Sequence, residues 1–288
     1  QHVPVLYRGA DSAFPDDVRQ RLIERGVQYL YIECQHEKQY RQYLEHNLSD
    51  ILADPGVSSA EKSEMLYLSA TGIMEDVMAD PRSGDVVPRS RNFVENTCHF
   101  LLEEKHALRH LLDITSYDYY TYTHSVNVFV FSMALAHRLD LFEPRQLRDL
   151  GEGALLHDLG KSLIDPEIIN CPGKLSDEQW KEIRRHPVLG QETLQTQGIN
   201  SPLALDVIRH HHEKLRGGGY PDGLVNGAIS QPARICAIAD IFDALTTKRS
   251  YKGALNSYPA LELMVREMSE DLDKEFLGVF VRMMGNPD

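Results

Sequence analysis

The sequence predicts a mainly α fold, and three observations carry that prediction. Apolar residues recur at helical spacing from about residue 37 to the end of the chain. No strong strand signal appears after residue 40. The candidate strands, 3–7 (VPVLY) and 27–32 (VQYLYI), both lie at the front. The expected organisation is a small α/β piece over 1–52 with a sensor or regulatory role, a helical connector over 53–112, and an all-helical unit over 113–288. A length of 288 residues suits one large or two modest domains.

The elements follow in order. Between the two strands, 15–25 reads as a helix, with Pro15 at its start, Asp16 and Asp17 in its first turn and Gly26 after its end. The pattern is helical again from 37 to 80, interrupted at 53–59, where Pro55-Gly56 breaks the chain and Ser58 or Ser59 caps the next helix. A second break at 80–90 precedes a helix over 91–114, whose apolar stripe is Phe93, Phe100, Leu101, Ala107, Leu108, Leu111 and Leu112. Further helices are expected at 121–138, 144–160, 176–195, 201–213, 231–247 and 257–284, with an irregular loop near 215–230.

Composition narrows the function. With 30 basic and 43 acidic residues the formal charge is −13, which argues against binding long nucleic acid through its phosphates. A small anionic ligand held by a few local cations stays compatible, as do divalent ions among carboxylates. The four cysteines are scattered, which fits neither a disulfide framework nor a thiolate zinc site and agrees with a reducing cytoplasm. No apolar run reaches the roughly 18 residues of a membrane span. No signal-peptide pattern opens the chain, and Gln1 in place of Met predicts a fragment or processed chain.

The 13 histidines are the unusual figure. In ALLHDLGK (154–161), His157 and Asp158 are neighbours, and Asp158 can serve one metal centre with His157 if its two oxygens bridge a pair of ions. His124 opens an apolar helix, His186 precedes Pro187, and His210, His211 and His212 stand together before Glu213. Asp240 and Asp243 lie in ICAIADIFDAL, where a carboxylate is costly to bury unless paired, hydrogen-bonded or metal-bound. Each alone reads as structural or surface; together they match a site in a helical core. Imidazole and carboxylate without thiolate suit iron, manganese or another first-row ion. His99, His106 and His110 share a face of the 91–114 helix, which reads as a solvated or dimer-facing side.

In order and approximate spacing, YTYTHSVNV (120–128), LLHDLGK (155–161), PGKL (172–175), HPVLG (186–190), HHEKLRGGGYP (211–221) and ADIFDALTTKRSY (239–251) resemble the HD-GYP family, a subset of the HD-domain metal-dependent phosphohydrolases. The resemblance covers roughly 113–288 and implies an all-helical HD-type hydrolase domain. It implies two divalent metal ions, iron or manganese, with His124, His157 and Asp240 on one, His186, His211 and His212 on the other, and Asp158 bridging. His210 is then spare. Tyr120 stands where some members carry a third-metal Glu, so the implied site is binuclear.

The implied activity is that of a bacterial, cytoplasmic cyclic di-GMP phosphodiesterase giving pGpG and, by a second cut, GMP, through attack of a metal-bridging hydroxide. Asp158 and Lys161 are the implied catalytic residues, and Lys161, Tyr220, Arg249 and Lys252 the implied substrate contacts. Alternatives are an HD hydrolase of another cyclic dinucleotide and a non-enzymatic cyclic-dinucleotide sensor. Candidate partners are a second copy through the connector helix and a signalling protein. The chain departs from the family pattern at Arg216 (usually Asp), Asn127, Cys171 and Ser250, and none of these removes an implied ligand.

Overall fold

The computed structural model describes residues 16–27, 29–104, 106–115, 121–171, 173–247 and 255–285. The helices of the first part are α1 (Asp16–Glu24), α2 (Glu37–His46), α3 (Leu48–Ala53), α4 (Ser59–Ala79), α5 (Val86–Glu103) and α6 (Ala107–Ile114). There follow α7 (Thr121–Leu139), α8 (Pro144–Leu156), α9 (Pro166–Ile169), α10 (Asp177–Ile183), α11 (His186–Thr196), α12 (Pro202–His210), α13 (Gln231–Thr246), α14 (Ser257–Glu267) and α15 (Lys274–Gly285). A 3-10 segment over Leu159–Leu163 follows α8. The mainly α expectation holds, and no strand occurs among the described residues.

Within that frame, the strand expected over 27–32 does not form. Its described residues are irregular chain, and Tyr29 and Tyr31 are 74% and 79% exposed. Aromatic and β-branched residues make a strand only where a neighbouring strand and a buried face receive them, and the described residues offer neither here. The other expected strand, 3–7, lies outside the described residues.

The helix α7 organises the rest. Its sequence is apolar almost all round, the mark of a helix buried on more than one side. Val126, Phe129, Val130 and Met133 join one core with Phe93 of α5, Leu66 and Met74 of α4, and Ile208 of α12. Val128, Phe131, Ala134 and Leu135 join a second core with Phe242 of α13 and Phe280 of α15. The rings of Phe131, Phe242 and Phe280 meet edge to face at 5.1–6.1 Å. Residues Phe129 and Phe280 are fully buried, each stabilising by about 1.5–3 kcal/mol relative to exposure. Helices α4 and α5, in the stretch expected as a connector, thus share a core with α7, α8 and α12.

Local chemistry sets the helix limits. Ser58 caps α4 through a capping box with Glu61, and Ser176, Ser201 and Ser230 cap α10, α12 and α13. The helix expected over 176–195 breaks at Arg184–Arg185, because Pro187 has no N–H and must sit in the first turn of a new helix. The helix expected over 91–114 ends at Glu103 and restarts at Ala107, so His99, His106 and His110 have no common helix face. The helix expected over 257–284 is interrupted at 268–273, where Asp273 accepts from the backbone N–H groups of Glu275 and Phe276 to start α15.

Candidate metal centre

Two groups of side chains meet where α7, α8, α11, α12 and α13 converge. His124, His157 and Asp240 bring ligand atoms within 4.8 Å of one another, as do Asp158, His186, His211 and His212. The carboxylate of Asp158 faces both. Its Oδ2 lies 3.3 Å from His124 Nε2 and 3.4 Å from His157 Nε2, while its Oδ1 lies 3.2 Å from His186 Nε2 and 4.0 Å from His211 Nε2. Asp240 also faces both groups, Oδ1 3.2 Å from His124 Nε2 and Oδ2 3.5 Å from His212 Nδ1.

The orientation of these rings follows from helix geometry. His157, His186 and His211 each stand at a helix end or start and donate Nδ1–H to the carbonyl three residues earlier, on Ala154, Ile183 and Ile208 at 2.8–2.9 Å. That bond turns each Nε2 toward the centre. Gly160 lets the 3-10 turn behind Asp158 lie against the backbone of α11, where a side chain would have no room.

The donor set fits a divalent cation. His157 Nε2 and Asp158 Oδ1 are fully buried and have no hydrogen-bond partner among the described residues. Burial, reinforced by neighbouring histidines, holds His211 well below the usual imidazole range; burial also lowers His186, and takes His212 down to about 3. These rings are neutral, as ligation requires. Burial pushes Asp158 up, but Lys161 and the neighbouring histidines outweigh it and hold the carboxyl well below the usual range. Asp240 is likewise lowered, burial being outweighed by His124 and His212. For His124, burial is outweighed by Asp158, Asp240 and Asp243, which raise the ring well above its usual range. That same excess of negative charge attracts a cation.

Of the remaining candidates, Lys161 donates to Asp158 Oδ2 at 2.6 Å. Tyr220 lies beside the centre, its ring 4.7 Å from that of His212 at an angle of 31°. His210 turns away and bonds Asp206 at 2.7 Å and Asp222 at 2.9 Å. Arg216 pairs with Asp271, alongside Lys214, instead of facing the centre. Arg249, Lys252 and Tyr120 lie outside the described residues.

Three features escaped sequence reasoning. Glu213 is buried and accepts from the backbone N–H groups of Asp222, Gly223 and Leu224 at 2.7–3.0 Å, which holds the loop carrying Tyr220. The signal was a carboxylate beside a Gly-rich loop. Arg184 lies over the ring of Tyr220 at 5.6 Å and over Trp180 at 5.9 Å, a cation at the rim of the centre. Asp243, noted as a carboxylate in an apolar segment, receives His124 Nδ1–H at 2.6 Å.

The family model of the HD domain matches residues 106–276. The chain belongs to the HD domain family. This family is metal-dependent, and the cluster of this HD-domain chain can hold metal. Among curated relatives, a cyclic di-GMP phosphodiesterase of Pseudomonas aeruginosa is 35% identical over 77% of the chain and 53% of its own length. A 3'3'-cGAMP-specific phosphodiesterase of Vibrio cholerae is 37% identical over 57% of the chain and 38% of its own length. A second such phosphodiesterase of Vibrio cholerae is 31% identical over 81% of the chain and 51% of its own length. The chain thus spans about half the length, or less, of these relatives. The fold matches that of an HDG"Y"P protein from Bdellovibrio bacteriovorus, with a TM-score of 0.72 and 22% identity over 89% of this chain and 82% of that one.

Proposed function

We propose that this HD-domain chain is a metal-dependent phosphodiesterase that hydrolyses cyclic di-GMP to pGpG and, by a second cut, to GMP. The observation that carries the reading is the two-faced carboxylate of Asp158, with Oδ2 toward His124 and His157 and Oδ1 toward His186. A carboxylate so flanked suits two divalent ions rather than one, and the all-N,O donor set suits iron or manganese. His124, His157 and Asp240 would hold one ion, His186, His211 and His212 the other, and Asp158 both. Such ions, when bound, supply an activated water near neutral pH and neutralise charge on a phosphate.

The chain's own residues do the rest. Lys161 steadies Asp158 and brings its positive charge to the phosphate. Tyr220, held by the loop that Glu213 organises, flanks the bound nucleotide. Arg184 meets the second phosphate or a base at the rim. Arg249 and Lys252 act as further phosphate contacts. The buried walls around His157, His186 and His211 limit access of bulk water.

A second reading, hydrolysis of 3'3'-cGAMP, is favoured by the two Vibrio cholerae relatives named for that specificity. The phosphate and metal contacts would serve either ring, so the bases decide. The test is an anaerobic assay with manganese or iron in which cyclic di-GMP and 3'3'-cGAMP compete. Preferential release of pGpG supports the first reading. Preferential opening of cGAMP replaces it with the second, and binding without turnover makes the chain a sensor.

A further inference from the structure

His124 differs from the other ligand candidates in what orients it. His157, His186 and His211 lean on carbonyls of their own chain segment, so their direction comes with the backbone. His124 leans on a side chain from another helix, Asp243 of α13. A carboxylate in that place accepts, so Nδ1 carries a hydrogen, and Nε2 is the nitrogen turned toward Asp158 and Asp240.

Asp243 is itself held. Its Oδ1 accepts from Asn127 Nδ2 at 2.7 Å and from the hydroxyl of Thr247 at 3.1 Å. The amide of Asn127 is then oriented from its other end, where Oδ1 accepts from the hydroxyl of Tyr67 at 2.8 Å. Tyr67 belongs to α4 in the connector, Asn127 and His124 to α7, and Asp243 to α13. All four are buried: Tyr67 is 9% exposed, and the other three at most 1%. In such surroundings each bond is strong and costly to leave unmade.

We propose that Tyr67, Asn127 and Asp243 form a positioning relay that fixes the tautomer and direction of His124, and thereby sets the affinity of the centre for a divalent cation. The relay makes the connector helix α4 part of the metal site's support. A displacement of α4 from α7 breaks the Tyr67 bond first and loosens His124 without touching a ligand. This rests on the metal-centre reading but not on the substrate.

The test is Mn(II) titration of the full chain, with free Mn(II) read by electron paramagnetic resonance and melting followed in parallel. Asp243→Asn is expected to weaken Mn(II) binding about 10–100-fold. Tyr67→Phe, which removes one oxygen, is expected to weaken it about two- to tenfold. Tyr67→Phe added to Asp243→Asn should cost no further affinity, because the relay is already cut. With diamagnetic Zn(II) bound, 15N spectra should show His124 with its hydrogen on Nδ1 in the parent chain and a mixture of tautomers in Asp243→Asn.

Unchanged affinity in both single variants, or additive losses in the double variant, overturns the relay. If Asp243→Asn fails to fold, Tyr67→Phe and Asn127→Ala form the same cycle. A parent chain that takes up no Mn(II) overturns the metal-centre reading instead; the His124 Nδ1–H resonance in Tyr67→Phe then decides the relay, and an unaltered signal rejects it.

Discussion

A Cβ on Gly160 would stand 1.9 Å from the carbonyl oxygen of His186, inside any allowed contact. The turn after Asp158 and the start of α11 therefore touch backbone to backbone, and this brings the Asp158 carboxylate to His186. Gly160→Ala must part the two segments. It should destabilise by about 1–3 kcal/mol or more and weaken metal binding, because Asp158 and His186 separate together. A melting scan and metal analysis check this, and a variant with parental melting and metal content would contradict the contact.

Asp158→Asn keeps the shape of the carboxylate and removes its charge. The expected result is a folded chain that holds less than the parent's metal and loses about 10²–10³-fold or more in hydrolysis. Elemental analysis alongside a cyclic di-GMP assay reads both. Retained turnover would remove Asp158 from the mechanism.

Trp180 is the chain's single tryptophan, 46% exposed, with Arg184 between it and Tyr220. Intrinsic tryptophan emission therefore reports on the rim of the centre alone. Adding cyclic di-GMP to Asp158→Asn in excess Mn(II) should change that emission. Arg184→Ala should raise KM about tenfold while changing kcat little. A silent tryptophan and an unaltered KM would place the substrate elsewhere.

Arg216, an unusual residue for its loop, is itself well exposed and pairs with the buried carboxylate of Asp271, which Lys214 also reaches. Arg216→Ala should cost less than about 1 kcal/mol of stability, because Lys214 keeps the Asp271 carboxylate paired, and leave turnover within a factor of two or so of the parent. A large loss of activity would mean that Arg216 reaches the substrate.

Glu152 on α8 is buried, and its pKa is raised, burial outweighing Arg91 of α5 at 3.4 Å. The folded state therefore holds the Glu152 proton more tightly than the unfolded chain. Stability from this site is full below the unfolded carboxylate value and is lost as pH rises through the folded one. Glu152→Gln should thus melt higher than the parent at pH 7.5, and the gain should shrink toward pH 4. Thermal scans across that interval test the sign.

Much of this arrangement was legible along the chain because its causes are local. Helical periodicity, serine caps and Pro187 mark where helices start and stop. His157 next to Asp158, and two carboxylates in the apolar run around Asp240, marked buried polar groups in need of partners. The strand expected at 27–32 failed for the opposite reason, since a strand depends on a neighbour that local residue preference does not supply.

The amino-acid order by itself determined the helical class, the kinds of ligand atom and the family. It did so because these depend on side-chain chemistry and on spacings of a few residues. Only the tertiary structure decided that Asp158 turns one oxygen to each histidine group, that Arg216 leaves the centre for Asp271, and that His124 meets Asp243 across 119 positions of chain. Those relations are set by how α7, α11, α12 and α13 pack, and packing depends on cores such as the one joining Phe131, Phe242 and Phe280. No short spacing records them, because the residues that touch are brought together by burial and not by sequence proximity.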